Sequence, residues 1–258
     1  GFMNLIDCFM YYDEDLLLDI RLNVLNRFVK KFVIWEATYN HNGSEKKINF
    51  DITKFKKFED KIIFLKLEKQ PENLKRINET DVKRNSKILD NALLRENFQR
   101  NFLMNGIRDI SDEDLILISD LDEIPNLNNY KYKNKISIFK HKMYCYKLNL
   151  TYPDFNWIGS KICKKKYLKS PQWLRNIKSK SYPIWRLDIF FSDKKYKNIE
   201  IIERGGWHFS NIKSANKIDH KMKNFLHHLE YEKSGLKIND ISKLIKEKKV
   251  LYDYKVDK

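Results

Sequence analysis

Along the first half of the chain, short apolar runs alternate with longer stretches in which apolar residues recur every three or four positions. Residues 4–9 form the first such run and predict a strand. Asp13, Glu14 and Asp15 then precede Leu16, Ile20, Leu25 and Phe28 at helical spacing, with Lys30 and Lys31 at the far end. Acidic residues suit the start of a helix and basic ones its end, because of the helix dipole. Residues 32–35 predict a second buried strand ending at Glu36, and residues 62–67 a third. Residues 85–105 predict a long helix with Leu89, Leu93, Phe98, Phe102 and Leu103 on or near one face and Gly106 as its C-cap. Residues 115–118 are all apolar and predict a fourth strand. Strands alternating with helices imply an α/β fold with a mostly parallel sheet flanked by helices and right-handed crossovers.

After Pro125 the pattern shifts to β-prone runs at 136–139, 143–150 and 184–191, separated by basic loops. From Ser214 a helix is predicted through Ile218, Met222, Phe225, Leu226 and Leu229, then another through Ile238, Ile241, Leu244 and Ile245. The expectation is one domain over residues 1–258: a nucleotide-binding half at 4–125, a substrate-side half at 126–212 on the same sheet, and a C-terminal helical appendage at 213–258.

The segment following the fourth strand carries the most chemistry. Asp120, Asp122 and Glu123 come just past an apolar run and just before Pro125, at the carboxyl edge where open α/β sheets bind ligands. Read as strand-like, Asp120 and Asp122 point the same way and offer hard oxygen ligands for Mg²⁺ or Mn²⁺ with room for substrate phosphates. An acidic surface loop or a helix N-cap is the alternative. The seven glycines form neither GxGxxG nor GxxxxGK[ST], so a cation and side chains would have to neutralise any bound phosphate. Arg95 and Arg100 could contribute, or could belong to a solvated helix face. Gly205-Gly206-Trp207-His208-Phe209-Ser210 is the second concentrated signal. His208 there is either a structural residue among aromatics or a group that completes a metal site.

At 258 residues, 42% apolar and 14% aromatic, the chain can bury a large core. No apolar stretch is long enough to span a bilayer, and the start lacks a signal-peptide pattern. Cys8, Cys145 and Cys163 are odd in number and widely spaced, which fits reduced thiols in a cytosol. The net charge of +16 favours anionic partners, although a Lys- and Asn-rich composition accounts for part of it.

Asp7-Cys8-Phe9, Phe32-Val33-Ile34-Trp35-Glu36, Arg95-Glu96 with Gln99-Arg100, Ile118-Ser119-Asp120-Leu121-Asp122-Glu123-Ile124-Pro125 and Gly206-Trp207-His208-Phe209-Ser210 occur in this order. The set, spanning residues 4 to about 235, resembles glycosyltransferase family 17, whose animal members add N-acetylglucosamine to N-glycan cores. The resemblance implies a GT-A-type, Rossmann-like fold, an inverting mechanism, a UDP-sugar donor, a glycan acceptor and a Mn²⁺ or Mg²⁺ ion. It also implies that Asp120 and Asp122 are the DxD-like pair, with Asp122 the direct metal ligand and Asp120 nearer the donor ribose. Glu36 would meet the uridine, Arg95 and Arg100 would be the basic pair, and His208 would serve the metal or diphosphate. The chain lacks the membrane anchor and lumenal disulfide context of the animal members, which puts an N-glycan acceptor in doubt.

Glu123, Asp188 and Glu230 are candidates for the carboxylate that deprotonates the acceptor, each with an ion-pair role as its alternative. Tyr144, Tyr146, Trp157, Trp173 and Trp185 are candidates for stacking on acceptor sugars. Lys213, Lys217, Lys221 and Lys223 beside the apolar row from Ile218 suggest peripheral contact with an anionic inner membrane face, and so a lipid-linked acceptor. No nucleic-acid partner is expected on this reading. The competing readings are a metal-dependent nucleotidyltransferase or nuclease, and a non-catalytic module that binds anionic surfaces.

Overall fold

A computed structural model describes residues 3–80, 82–145, 150–180, 185–192, 195–196 and 198–210. The predicted C-terminal helices, with Lys213, Lys217, Lys221, Lys223, His220, His227, His228 and Glu230, lie outside the described residues, as does Tyr146. The described elements are β1 (Leu5–Met10), α1 (Asp15–Leu25), β2 (Lys31–Ala37), β3 (Ile62–Leu67), α2 (Arg84–Asn101), β4 (Leu115–Ile118), β5 (Glu123–Pro125), β6 (Ile136–Cys145), β7 (Leu150–Lys164), α3 (Pro171–Asn176), β8 (Ile199–Ile202) and β9 (Gly206–Ser210).

All nine strands join one sheet in the order β3-β2-β1-β4-β7-β6-β9-β5, with β8 paired to β6. The first four are parallel, as the strand and helix alternation predicts. The remainder meets the expectation only in part: β6 pairs parallel with β8 and β9, but the other pairings reverse. β7 runs antiparallel to both β4 and β6, and β5 antiparallel to β9, so the sheet is mixed. Consecutive strands such as β6 and β7, with no helix between them, pair antiparallel because only a crossover can reverse the chain into parallel register.

Period-2 alternation splits the core between the two faces of the sheet. Leu5, Phe9, Phe32, Ile34, Leu115 and Leu117 pack with Leu18, Leu22 and Leu25 of α1. Ile6, Cys8, Val33, Trp35, Ile116 and Ile118 pack with Leu103, Ile107, Trp173 and Leu174 on the other side. Both faces are covered, so these strands read as continuous apolar runs. Cys8 and Cys163 are free, buried thiols.

Five local expectations change. The helix predicted over 85–105 stops at Asn101 and continues as a 3₁₀ turn, Phe102–Gly106. Its predicted face holds at the C-terminal end, where Leu103 is buried and Phe98 and Phe102 pack on the core, but not at the start: Leu89 and Leu93 are 69% and 55% exposed, whereas Asn91 and Gln99 are buried. Asn91 accepts from Lys75 N at 2.7 Å and donates to Lys75 O at 2.8 Å, so the first half of α2 lies on a polar loop and not on the sheet. Gly106 acts by close approach, since a Cβ there would stand 2.4 Å from Val33 Cγ1. The runs predicted at 136–139 and 143–150 belong in part to a single strand, β6, whose pairing with β7 shifts register twice. Residues 187–191 form a 3₁₀ turn and not a strand.

Candidate active site

The parallel strands end in two adjoining features. Beyond β1 and β2 lies a cavity of about 240 Å³ lined by Met10, Tyr11, Tyr12, Tyr39, His41, Lys46 and Gln99, among others. Glu36, at the end of β2, organises its wall. The carboxylate is buried, binds Lys46, and accepts from Asn49 N at 2.8 Å and Phe50 N at 2.9 Å. It therefore holds the loop that carries Lys46 and does not face the cavity as a free acceptor. Arg95 also supports this wall, donating to Gln70 Oε1 at 3.1 Å and to His41 O at 3.2 Å. Its hydrogen bonds to Gln70 and His41 lie on this side and not on the acidic turn, which Arg100 reaches instead.

Beyond β4 lies the acidic turn. Glu123 N–H donates to Asp120 O at 3.0 Å, closing a four-residue turn, so Asp120 and Asp122 do not follow strand alternation. Pro125 falls in β5, which pairs only with β9 and tolerates the missing donor as an edge strand. Gly206 meets it with φ +138°, and a Cβ there would stand 2.2 Å from Ile124 O. That contact explains one glycine of the Gly-Gly pair.

Arg21 fixes the turn from beneath. Its guanidinium is fully buried, binds both oxygens of Asp7 at 2.8 and 2.7 Å, and donates to Asp120 O at 3.1 Å and to Glu123 O. The turn's backbone is thus held by a charge whose own counterion sits in β1.

Its side chains divide sharply. Asp120 receives Arg100 on Oδ1 at 3.3 Å and Arg175 on Oδ2 at 3.1 Å. Partial burial works against the ionised carboxylate, but Arg175 and then Arg100 outweigh it and hold the pKa below the usual value. Glu123 is buried and fully engaged: Oε1 accepts from Arg175 at 2.9 Å and from Asp120 N at 2.7 Å, and Oε2 from Trp157 Nε1 at 2.6 Å. Burial and the neighbouring Asp120 raise its pKa despite Arg175. A carboxylate closed in this way positions its neighbours and is not presented to an acceptor.

Asp122 is part-exposed, with His208 Nε2 at 3.3 Å from Oδ2. The His208 ring stacks on Trp157 with centroids 4.4 Å apart, and its buried Nδ1 has no hydrogen-bond partner among the described residues. Behind it, His141 donates from Nδ1 to Trp207 O at 3.0 Å and accepts from Ser160 N on Nε2 at 3.2 Å. Burial pushes the His141 pKa down to about 3, so it stays neutral and structural. Lys161 donates to Arg175 O at 2.6 Å and to Ile177 O at 2.7 Å, and burial with the adjacent Arg175 lowers its pKa to about 7.

The family model of glycosyltransferase family 17 matches residues 3–255. The chain belongs to glycosyltransferase family 17. No curated protein matches it. A family 17 member is a transferase that handles a sugar donor and a glycan acceptor, so the cavity and the turn are to be weighed against two substrates.

For the divalent cation suggested by the sequence, no group of three or more His, Cys, Asp or Glu forms a ready cage among the described residues. The donor set fits a sparser site. Mg²⁺ and Mn²⁺ are commonly held by one or two carboxylates plus substrate phosphates. Asp122 is the turn carboxylate with no guanidinium on it, and His208 stands beside it. Asp120, neutralised by two arginines, fits a supporting role.

The remaining site candidates disperse. Asp188 pairs locally with Arg186 at 2.7 Å and Lys195 at 2.9 Å, which push its pKa down to about 2 and leave it a weak base. Trp173 is a core residue that donates to Tyr196 Oη at 3.2 Å, and Trp185 is 78% exposed. Trp157 touches the turn, through Glu123 and His208. Arg21, Arg175 and Lys161 were not singled out from the sequence. Their signal was a charged residue at a position where the pattern calls for an apolar one.

Proposed function

We propose that this family 17 member is a metal-dependent, inverting glycosyltransferase of GT-A type that moves N-acetylglucosamine from UDP to a hydroxyl of an acceptor glycan. One observation carries the reading. Gln99 lines the aromatic cavity while its neighbour Arg100 binds Asp120, so α2 joins a nucleoside-sized pocket to an acidic turn. Tyr12, Tyr39 and His41 offer faces for a planar base, and the path from there to Asp120 and Asp122 is the one a ribose and diphosphate would follow. A divalent cation held by Asp122, with His208 beside it, would supply charge neutralisation for the departing diphosphate.

The chain's own residues do the rest. Arg100 stabilises negative charge that grows on the leaving group, an effect that is large where water is excluded. Trp157 stacked on His208 closes the turn on its far side and gives an apolar surface for a sugar ring. A lipid-linked acceptor at an anionic, cytoplasmic membrane face is supported by the net charge of +16 and by Trp185, Leu187 and Phe191, which are 78%, 71% and 91% exposed on one short segment.

Calorimetric titration with UDP, with and without Mn²⁺, followed by a UDP-sugar hydrolysis screen, tests the donor reading. The expected result is UDP binding that Mn²⁺ tightens, and fastest turnover with UDP-N-acetylglucosamine. Binding of polynucleotide but not UDP would replace the reading with a nucleotidyltransferase or nuclease.

A further inference from the structure

We infer that Arg175 binds the donor diphosphate, with Asp120 aiming its guanidinium and Lys161 holding its backbone. The inference rests on the donor reading above.

Three observations lead to it. First, Arg100 and Arg175 approach Asp120 from different helices and take one oxygen each. A carboxylate shared in this way sets two guanidiniums side by side at a fixed spacing. The Asp120 side chain is 46% exposed while those of Arg100 and Arg175 are 13% and 14% exposed, so the shared carboxylate borders the open mouth and the guanidiniums reach it from the wall. Arg21 is the contrast: it is sealed against Asp7, and its remaining hydrogen bonds go to backbone.

Second, the charge balance of the turn admits an anion once a cation is bound. Asp120, Asp122, Glu123 and Glu96, the last 3.5 Å from Arg100, face Arg100 and Arg175, which leaves two net negative charges. A divalent cation at Asp122 would cancel them, and the two guanidiniums would then meet a diphosphate without opposition from the turn. Planar guanidiniums suit phosphate oxygens because they can donate in parallel pairs.

Third, Lys161 is built for holding. It is 3% exposed and has no carboxylate within ion-pair distance among the described residues. Its ammonium is spent on the carbonyls of Arg175 and Ile177, at the end of α3. Burial and the adjacent Arg175 make the charged amine costly, which is why its pKa falls to about 7, and the two carbonyls are what it binds. It ties α3 to β7, the strand whose Gly159 O accepts from Arg175 at 3.1 Å. The Arg175 side chain is thereby fixed from its own backbone as well as from its tip.

The test compares UDP with uridine by calorimetry, with Mn²⁺ and again in chelator, for the wild type, Arg175→Gln, Arg175→Lys and Lys161→Met. Uridine has no phosphate and reports the cavity alone. A charge-assisted hydrogen bond corresponds to about tenfold in affinity. UDP should therefore weaken about tenfold in Arg175→Gln and severalfold in Arg175→Lys and Lys161→Met, while uridine affinity stays the same. Arg175→Lys retains a positive charge against buried Glu123, so it separates loss of the planar fork from loss of the fold. An unchanged ratio of UDP to uridine affinity in Arg175→Lys and Lys161→Met, in any buffer where the wild type prefers UDP, overturns the inference. A wild type with no preference for UDP in either buffer overturns the donor reading instead.

Discussion

At the scale of single residues, the acidic turn shows why identical side chains two positions apart take different parts. Asp120 and Asp122 look equivalent in the sequence, yet one is clamped by Arg100 and Arg175 and the other has an imidazole as its ion-pair partner among the described residues. On the proposed mechanism, Asp122→Asn should lower transfer at least about a hundredfold with little change in thermal stability, because a part-exposed carboxylate contributes to a ligand and not to the core. Wild-type turnover in that variant, or in excess chelator, would remove the metal from the mechanism. Arg21 gives the opposite prediction. Arg21→Met strands Asp7 as a buried, uncompensated charge and should cost about 3–5 kcal/mol in urea unfolding. A cost below about 1 kcal/mol would mean that the turn does not depend on this pair.

At the scale of elements, the apolar runs were legible and the polar packing was not. β1, β2, β3 and β4 follow the predicted runs closely because both faces of the sheet are covered, which leaves no polar side to confuse the pattern. α2 misled because its buried positions are amides. Asn91 satisfies a peptide group of a neighbouring loop, and Gln99 bonds His41 and Tyr39 O, so burial there follows hydrogen bonding and not hydropathy. The difference is measurable. Leu93→Ala should change stability by less than about 0.5 kcal/mol, whereas Leu103→Ala should cost about 2–5 kcal/mol. Similar losses for both would restore the apolar face read from the sequence. The site residues divide in the same way. Asp120, Asp122 and His208 stood out as polar residues in chemically suggestive company, while Arg21 and Lys161 were concealed inside apolar segments, where their meaning depends on a partner elsewhere in the chain.

At the scale of the whole molecule, charge and exposed apolar surface raise one common question. Near an anionic bilayer each basic residue contributes about 1 kcal/mol, and exposed tryptophan and phenylalanine favour the interfacial layer. Co-sedimentation with anionic vesicles but not neutral ones, weakened by salt and by Trp185→Ala with Phe191→Ala, is the expected outcome. Failure to bind anionic vesicles at low salt would assign the charge to a water-soluble partner. The pairing of β5 with β9 has a consequence for the timing of synthesis. The carboxylate turn emerges early, but the strand that flanks it and the imidazole beside Asp122 arrive only after β6, β7 and β8 have been made. A nascent chain therefore carries the acidic residues without the partner that shapes them. On the proposed function, competence to act on the sugar donor should appear late and abruptly, so that unfinished chains cannot squander donor on water.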